Sequence, residues 1–322
     1  MRFSEGGVLF GLLGVLGFPA APLGADGNMG PVASTTKQPA SAQKAVTQPA
    51  SPRQNPKQPA ARLTAAQIVQ KNLAARGGAQ AWQGVQSMTW KGKIEVGYGD
   101  SLARSERWVS DATTRRGRGP RTQPVNDEAA HKEQVRVPFA LEMKRPDKTR
   151  IEVEFGGKTA VQLFDGSSGW LLRPYLNRDD WEPYSAEQAA QARSQQSRWN
   201  LGGPLIDSTS RGAKVELIGV EPVEGHDAYK LELTEKAGEV QHVWIDAKSF
   251  LDVKVEGTPR RVDGKMRTVW VTQRDFRSVQ GVMVPFMLDT AVEGAPDTHK
   301  MIVEKVTINP RLDDSRFVKP KA

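Results

Sequence analysis

The sequence predicts a mostly β protein, an antiparallel sheet with a few helical pieces laid against one face. Three observations predict it. From about residue 88 onward, apolar and polar residues alternate with a period of two, as in Met88-Thr89-Trp90-Lys91. The joints between these runs are short and carry turn chemistry: Asp165-Gly166, Glu224-Gly225, Ala237-Gly238 and Asp263-Gly264. No helical pattern follows each strand, which excludes a parallel α/β sheet.

The chain has 322 residues, and its composition changes along its length. An apolar run from Val8 to Phe18 is followed by the small residues Ala20-Ala21-Pro22-Leu23-Gly24-Ala25. That order is the layout of a secretory signal peptide over 1–25. The run is too short to span a bilayer, which needs about 20 apolar residues. Residues 26–62 are built of Pro, Ala, Ser, Thr and Gln, with little to bury, and read as a disordered tether. Residues 1–62 carry six Lys/Arg and two Asp/Glu, so they account for +4 of the formal +8. The basic balance therefore says little about the domain expected over 63–322, and a nucleic-acid reading loses its support. There is no cysteine, which removes both a disulfide framework and a lipid-bearing cysteine after the apolar run. An exported, periplasmic protein is expected.

Thr64 opens the domain as a helix cap, with Gln67 three residues on to complete a capping box and Leu63 and Ile68 at the staple positions. Ala66, Val69 and Leu73 recur at helical spacing until Gly77-Gly78 stops the helix. Strands are then expected over 88–96, 135–143, 150–155, 159–164, 169–173, 213–221, 227–235, 239–246, 250–257, 265–276, 282–292 and 299–308, arranged as a meander. Two segments interrupt them. Residues 98–134 hold a charged strand candidate, Arg104 to Val109, and then Arg115, Arg116, Arg118 and Arg121 among Gly, Pro and Thr, which reads as a mobile insert. Residues 185–198 form an alanine-rich helix capped by Ser185 with Gln188, followed by the apolar Trp199, Leu201, Leu205 and Ile206.

Several motifs resemble the periplasmic outer-membrane lipoprotein-sorting (LolA-like) superfamily. Phe164-Asp165-Gly166-Ser167-Ser168-Gly169-Trp170 is similar to its DG…GW hairpin. The segment from Val215 to Leu231, ending Val223-Glu224-Gly225-His226-Asp227-Ala228-Tyr229-Lys230-Leu231, resembles one with the family's veG..aykL ending, and Val243-Trp244-Ile245-Asp246-Ala247 its yiDa strand end. Ile308-Asn309-Pro310-Arg311-Leu312-Asp313-Asp314-Ser315-Arg316-Phe317 is similar to its iNp.ld.s.F tail. The resemblance covers most of residues 63–320 in the family's order. It implies a strongly curved antiparallel sheet, a half-open β-barrel, with helices covering its concave face and acyl chains held between them. No residue here is matched to the family's lipid-gating arginine.

No catalytic residue is assigned. His131, His226, His242 and His299 lie far apart and read as solvated, with no metal-ligand spacing and no cofactor expected. Asp179-Asp180 and Asp313-Asp314 read as turn and surface residues, because neighbours on a strand point to opposite faces. The Arg115–Arg121 cluster has no interleaved aromatics for stacking on bases, so it reads as a solvated loop. Charges inside the strands, such as Arg274 and Asp275, argue against an outer-membrane barrel.

The apolar phase of the alternation is the candidate site. A lone sheet must hide its apolar face, and thin alanine-rich helices cover it poorly. Met88, Trp90, Val137, Phe139, Leu141, Met143, Val153, Phe155 and Trp170 are expected to line an apolar pocket lidded by 64–76 and 185–198. The function expected is that of a monomeric carrier for a lipid or a lipidated protein. The alternative is a protein-interaction or envelope-sensing module of the same fold, with a membrane-associated partner.

Overall fold

The computed structural model describes residues 63–96, 135–174, 178–198, 201–262, 265–295 and 298–320. The signal peptide, tether and insert expected at 1–25, 26–62 and about 98–134 lie outside them, as do Trp199 and Asp263-Gly264.

The strands are β1 (Ser87–Val96), β2 (Val135–Lys144), β3 (Lys148–Phe155), β4 (Lys158–Phe164), β5 (Gly169–Arg173) and β6 (Arg178–Pro183), then β7 (Lys214–Val223), β8 (His226–Thr234), β9 (Val240–Asp246) and β10 (Asp252–Glu256). A small separate hairpin, β11 (Arg260–Val262) with β12 (Lys265–Arg267), precedes β13 (Val269–Val279), β14 (Val282–Val292) and β15 (Thr298–Ile308). The helices are α1 (Ala65–Ala75), α2 (Ala79–Gln83), α3 (Ala186–Arg198) and α4 (Ser208–Arg211), with a last 3-10 turn at Asp314–Phe317.

Thirteen strands form one antiparallel sheet in the order β6-β5-β4-β3-β2-β1-β15-β14-β13-β10-β9-β8-β7. It is two meanders zipped together where β1 pairs β15. The edges β6 and β7 do not pair, so the sheet is not closed. β6 corrects the expected turn at Asp179-Asp180. Its charged, non-alternating residues give no strand signal, yet its backbone completes the ladder on β5 and Glu182 pairs with Arg173.

The connection from β6 to β7 reveals the curvature. The Tyr184 amide donates to the Gly169 carbonyl beside β5 (2.9 Å), and eleven residues later Gln195 accepts from the Thr258 hydroxyl just after β10 (2.7 Å). Eight strand spacings separate β5 from β10 in the sheet, about 38 Å along its surface. The helix between the two contacts is only about 15 Å long. The sheet must therefore curl strongly, with α3 spanning its concave side.

α1 forms as expected. The Gln67 amide donates to the Thr64 hydroxyl, and the Thr64 amide to the Gln67 side chain. It stops where Gly77 adopts φ of 101°, with Gly78 donating back to Leu73. Its place differs from the expectation. Ile68 and Val69 pack on Leu231, Leu233, Val243, Ile245 and Val255, so α1 lies mainly over the β7–β10 half, and its Leu73 also borders the β1–β3 cluster. The β1–β3 half is covered by Trp82 of α2 and by Ile206.

The motif residues of the four resembling segments turn out to be turn-makers. Asp165 accepts from the amides of Ser167 and Ser168, and Asp246 from those of Lys248 and Ser249. Glu224 and Gly225, both at positive φ, close the β7–β8 hairpin. Asn309 accepts from the amides of Gln86 and Ser87 while donating to the Gly84 carbonyl, which fixes where the C-terminal segment leaves β15.

Candidate functional site: the concave face of β1 to β5

Register places eight of the nine expected residues on one face. Trp90 stands opposite Leu141, Leu141 opposite Ile151, Ile151 opposite Gln162, and Gln162 opposite Leu171, a single row across five strands. The flanking rows run Met88, Met143, Thr149, Phe164 and Gly92, Phe139, Val153, Ala160. Val137 pairs with Ile94, and Phe155 ends β3.

Met88, Trp90, Val137, Phe139, Leu141 and Val153 are buried in one packed cluster with Trp82 and Ile206, and Met143 and Phe155 border it half-buried. The Trp90 indole N–H donates to the Met88 sulfur at 2.7 Å, so this polar atom has an internal partner. Gly92 lets β15 approach, since a Cβ there would lie 2.0 Å from the Ile302 carbonyl oxygen.

Trp170 is the exception. It pairs with Leu163 and faces the other side of the sheet, where Lys319 sits 5.2 Å over its ring. The reason is that β4 is buried on both faces, so neither phase of Ala160-Val161-Gln162-Leu163-Phe164 looks polar. The C-terminal segment covers this back face. Phe317 is fully buried, Arg316 pairs with Glu142, and Lys144 and Lys148 hold Asp314.

At the rim of the sheet, beside the β3–β4 turn, a cleft of about 570 Å³ is lined by Arg136, Pro138, Glu154 and Thr159 of the back face together with Val137, Phe155, Gly156 and Gly157. Arg136 is anchored by the buried Glu95 at 2.7 Å. On the concave side, under α3, the face becomes polar. Gln162 is fully buried in the apolar row, and neither its amide oxygen nor its nitrogen has a hydrogen-bond partner. The Tyr184 ring stacks on Phe164 at 6.3 Å and lies over Gly169, where a Cβ would collide with it. Its hydroxyl is buried and also without a partner. Burial pushes the pKa of that hydroxyl up, and the neighbouring Gln162 side chain acts in the opposite direction. The underside of α3 presents Gln188, Ala192 and Gln195.

Sequence reading missed Gln162 and Tyr184. A glutamine in a strand apolar on both faces was the one available signal. It also read His242 as solvated, whereas its ring contacts Glu256 and lies 3.5 Å from Glu232. Among the described residues no group of three or more His, Asp and Glu is arranged to hold a metal.

The fold and face together define a class: a half-open antiparallel sheet with a roofed, largely apolar concave side. No protein-family model and no curated protein matches the chain. Solved structures similar to it include a LolA superfamily protein from Nitrosomonas europaea (15% identity, 80% of this chain and 99% of that one, TM-score 0.46). Another is a putative outer membrane lipoprotein-sorting protein domain from Vibrio parahaemolyticus (12%, 78% and 94%, TM-score 0.43). A third is a DUF1329 family protein from Desulfovibrio piger (12%, 79% and 97%, TM-score 0.45). These likenesses assign no role to any residue of this chain.

Proposed function

We propose that this chain is an exported, periplasmic carrier without catalytic activity that holds acyl chains of a lipid or lipidated protein on the concave face of its sheet. One observation carries the reading: Trp82 and Ile206 cover the apolar row at Trp90, Leu141 and Ile151, while α3, which spans the same concave side, turns glutamine and alanine inward. A roof of that kind gains little from the face it covers, whereas an acyl chain gains about 0.8 kcal/mol per buried methylene. Entry would be at the rim of the concave face, where Phe155 borders the packed cluster half-buried. Met88, Phe139, Met143 and Val153 would line the path.

Native mass spectrometry of protein purified from the periplasm tests it, with co-purified acyl-bearing molecules expected. A delipidated protein that takes up no fluorescent fatty-acyl probe would sink the reading. Cleavage near Ala25, read by N-terminal sequencing, tests export.

A second reading, an interaction or sensing module, is favoured by Ile218 and Val220. Both are about half exposed on the edge strand β7, an uncovered apolar patch beside unpaired backbone. Charged substitutions at both would abolish capture of a membrane-associated protein partner under that reading, and leave acyl uptake intact under the first.

A further inference from the structure

We propose that Gln162 and Tyr184 form a polar anchor beneath α3 for the carbonyl of an uncharged acyl ester or amide, the linkage that joins an acyl chain to a lipid or a lipidated protein. The inference rests on the carrier reading and deepens it.

The geometry is specific. Gln162 is fully buried between Ile151 and Leu171, which offer its amide nothing to bond. Its nitrogen and oxygen make no hydrogen bond of good geometry, and neither does the Tyr184 hydroxyl, which has the Gln162 side chain as a polar neighbour close enough to interact with it. Buried polar side chains are nearly always paired, so such a set in a dry row calls for a missing occupant.

The roof does not supply one. The Gln188 oxygen accepts from the Ser185 amide, and the Gln195 oxygen accepts from Thr258. Among the residues of α3 whose side chains are described, none belongs to the packed apolar clusters.

A carbonyl placed here would accept from both the Gln162 amide and the Tyr184 hydroxyl, one on each lone pair. Its chain would then run over Ile151, Leu141 and Trp90 in the same row, while the rest of the molecule leaves past β6. Both anchor groups are neutral, and the Arg173 guanidinium on the same face is paired with Glu182. That favours an ester or amide over a free carboxylate.

Equilibrium titration of the delipidated full chain with two pyrene probes, dodecylpyrene and methyl pyrenedodecanoate, separates the outcomes. The wild type is expected to prefer the ester by roughly three- to tenfold, the range a net hydrogen bond allows. Gln162→Leu and Tyr184→Phe are each expected to remove that preference while hydrocarbon binding stays the same or tightens. Tyr184→Phe keeps the stacking on Phe164, so it decides the matter if Gln162→Leu fails to fold. Ester preference that survives Tyr184→Phe overturns the anchor. So does a wild type that binds both probes equally, which would mean that ordered water satisfies the pair. A wild type that binds neither probe overturns the carrier reading and the anchor with it.

Discussion

The Arg76 guanidinium and the Asp252 carboxylate form a buried ion pair that ties the end of α1 to the start of β10. The pair is fully furnished. Asn72 donates to Asp252 at 3.4 Å and to the Phe250 carbonyl at 2.8 Å, and Gln273 donates to the other Asp252 oxygen at 3.4 Å. Arg76 also donates to the Met283 carbonyl at 2.9 Å and lies over the Trp82 ring, whose N–H donates to the Arg76 carbonyl. One residue thus fixes α1, α2 and the β13–β14 hairpin to one another.

Removing one partner leaves the other charge buried and alone. Arg76→Met is expected to cost about 3–5 kcal/mol in urea unfolding. The double change Arg76→Met with Asp252→Leu should cost less than Arg76→Met alone, because no buried charge is then stranded. Equal or greater loss in the double variant would show that the pair matters through shape, not charge.

Gly92 is expected to tolerate nothing larger. A methyl group there meets the Ile302 carbonyl, which belongs to the β15 ladder and cannot turn aside. Gly92→Ala should destabilise the fold by about 2–3 kcal/mol, read as a lowered thermal midpoint. An unchanged midpoint would mean that the β1–β15 bulge shifts freely.

Asp314 gives a pH test. Hydrogen bonds from Lys144 and Lys148 hold its carboxyl at about 2, below the ordinary 3.8. A carboxyl depressed on folding stabilises the fold above its unfolded value, and the contribution is lost as pH falls through the folded one. Attachment of the C-terminal turn should therefore weaken between about pH 4 and pH 2. An NMR titration of the Asp314 carboxyl with a midpoint near 3.8 would show that neither lysine holds it.

Phe155 tests entry at the rim of the concave face without disturbing the deep core, because it only borders the packed cluster. Phe155→Glu is expected to weaken uptake of a fatty-acyl probe at least about tenfold, as a charge replaces apolar surface at the mouth. Far-UV circular dichroism should stay that of the wild type. Undiminished uptake would move the access route elsewhere.

Much of the fold is legible in the sequence. Period-two alternation locates β1 to β3, and Glu224-Gly225 marks the β7–β8 hairpin because a tight turn needs positive φ at both positions. The α1 cap is legible for the same local reason. β6 is not, since an edge strand exists through backbone bonds to a neighbour and needs no apolar phase. The candidate site is legible in part. Eight of its nine expected residues share a face, but Trp170 is reversed by the register that the Asp165–Ser168 turn sets between β4 and β5.

By itself the sequence determined what depends on near neighbours: turns, caps, strand phases, and the apolar content of one face. Tertiary structure decided which half of the sheet α1 covers, that Arg76 meets Asp252 across 176 positions, and that Gln162 lies unpaired beneath Tyr184. The reason is physical. Hydrogen-bonded turns and side-chain alternation are settled within a few residues, whereas the partner of a buried polar group is chosen only when a curled sheet brings distant strands under one roof.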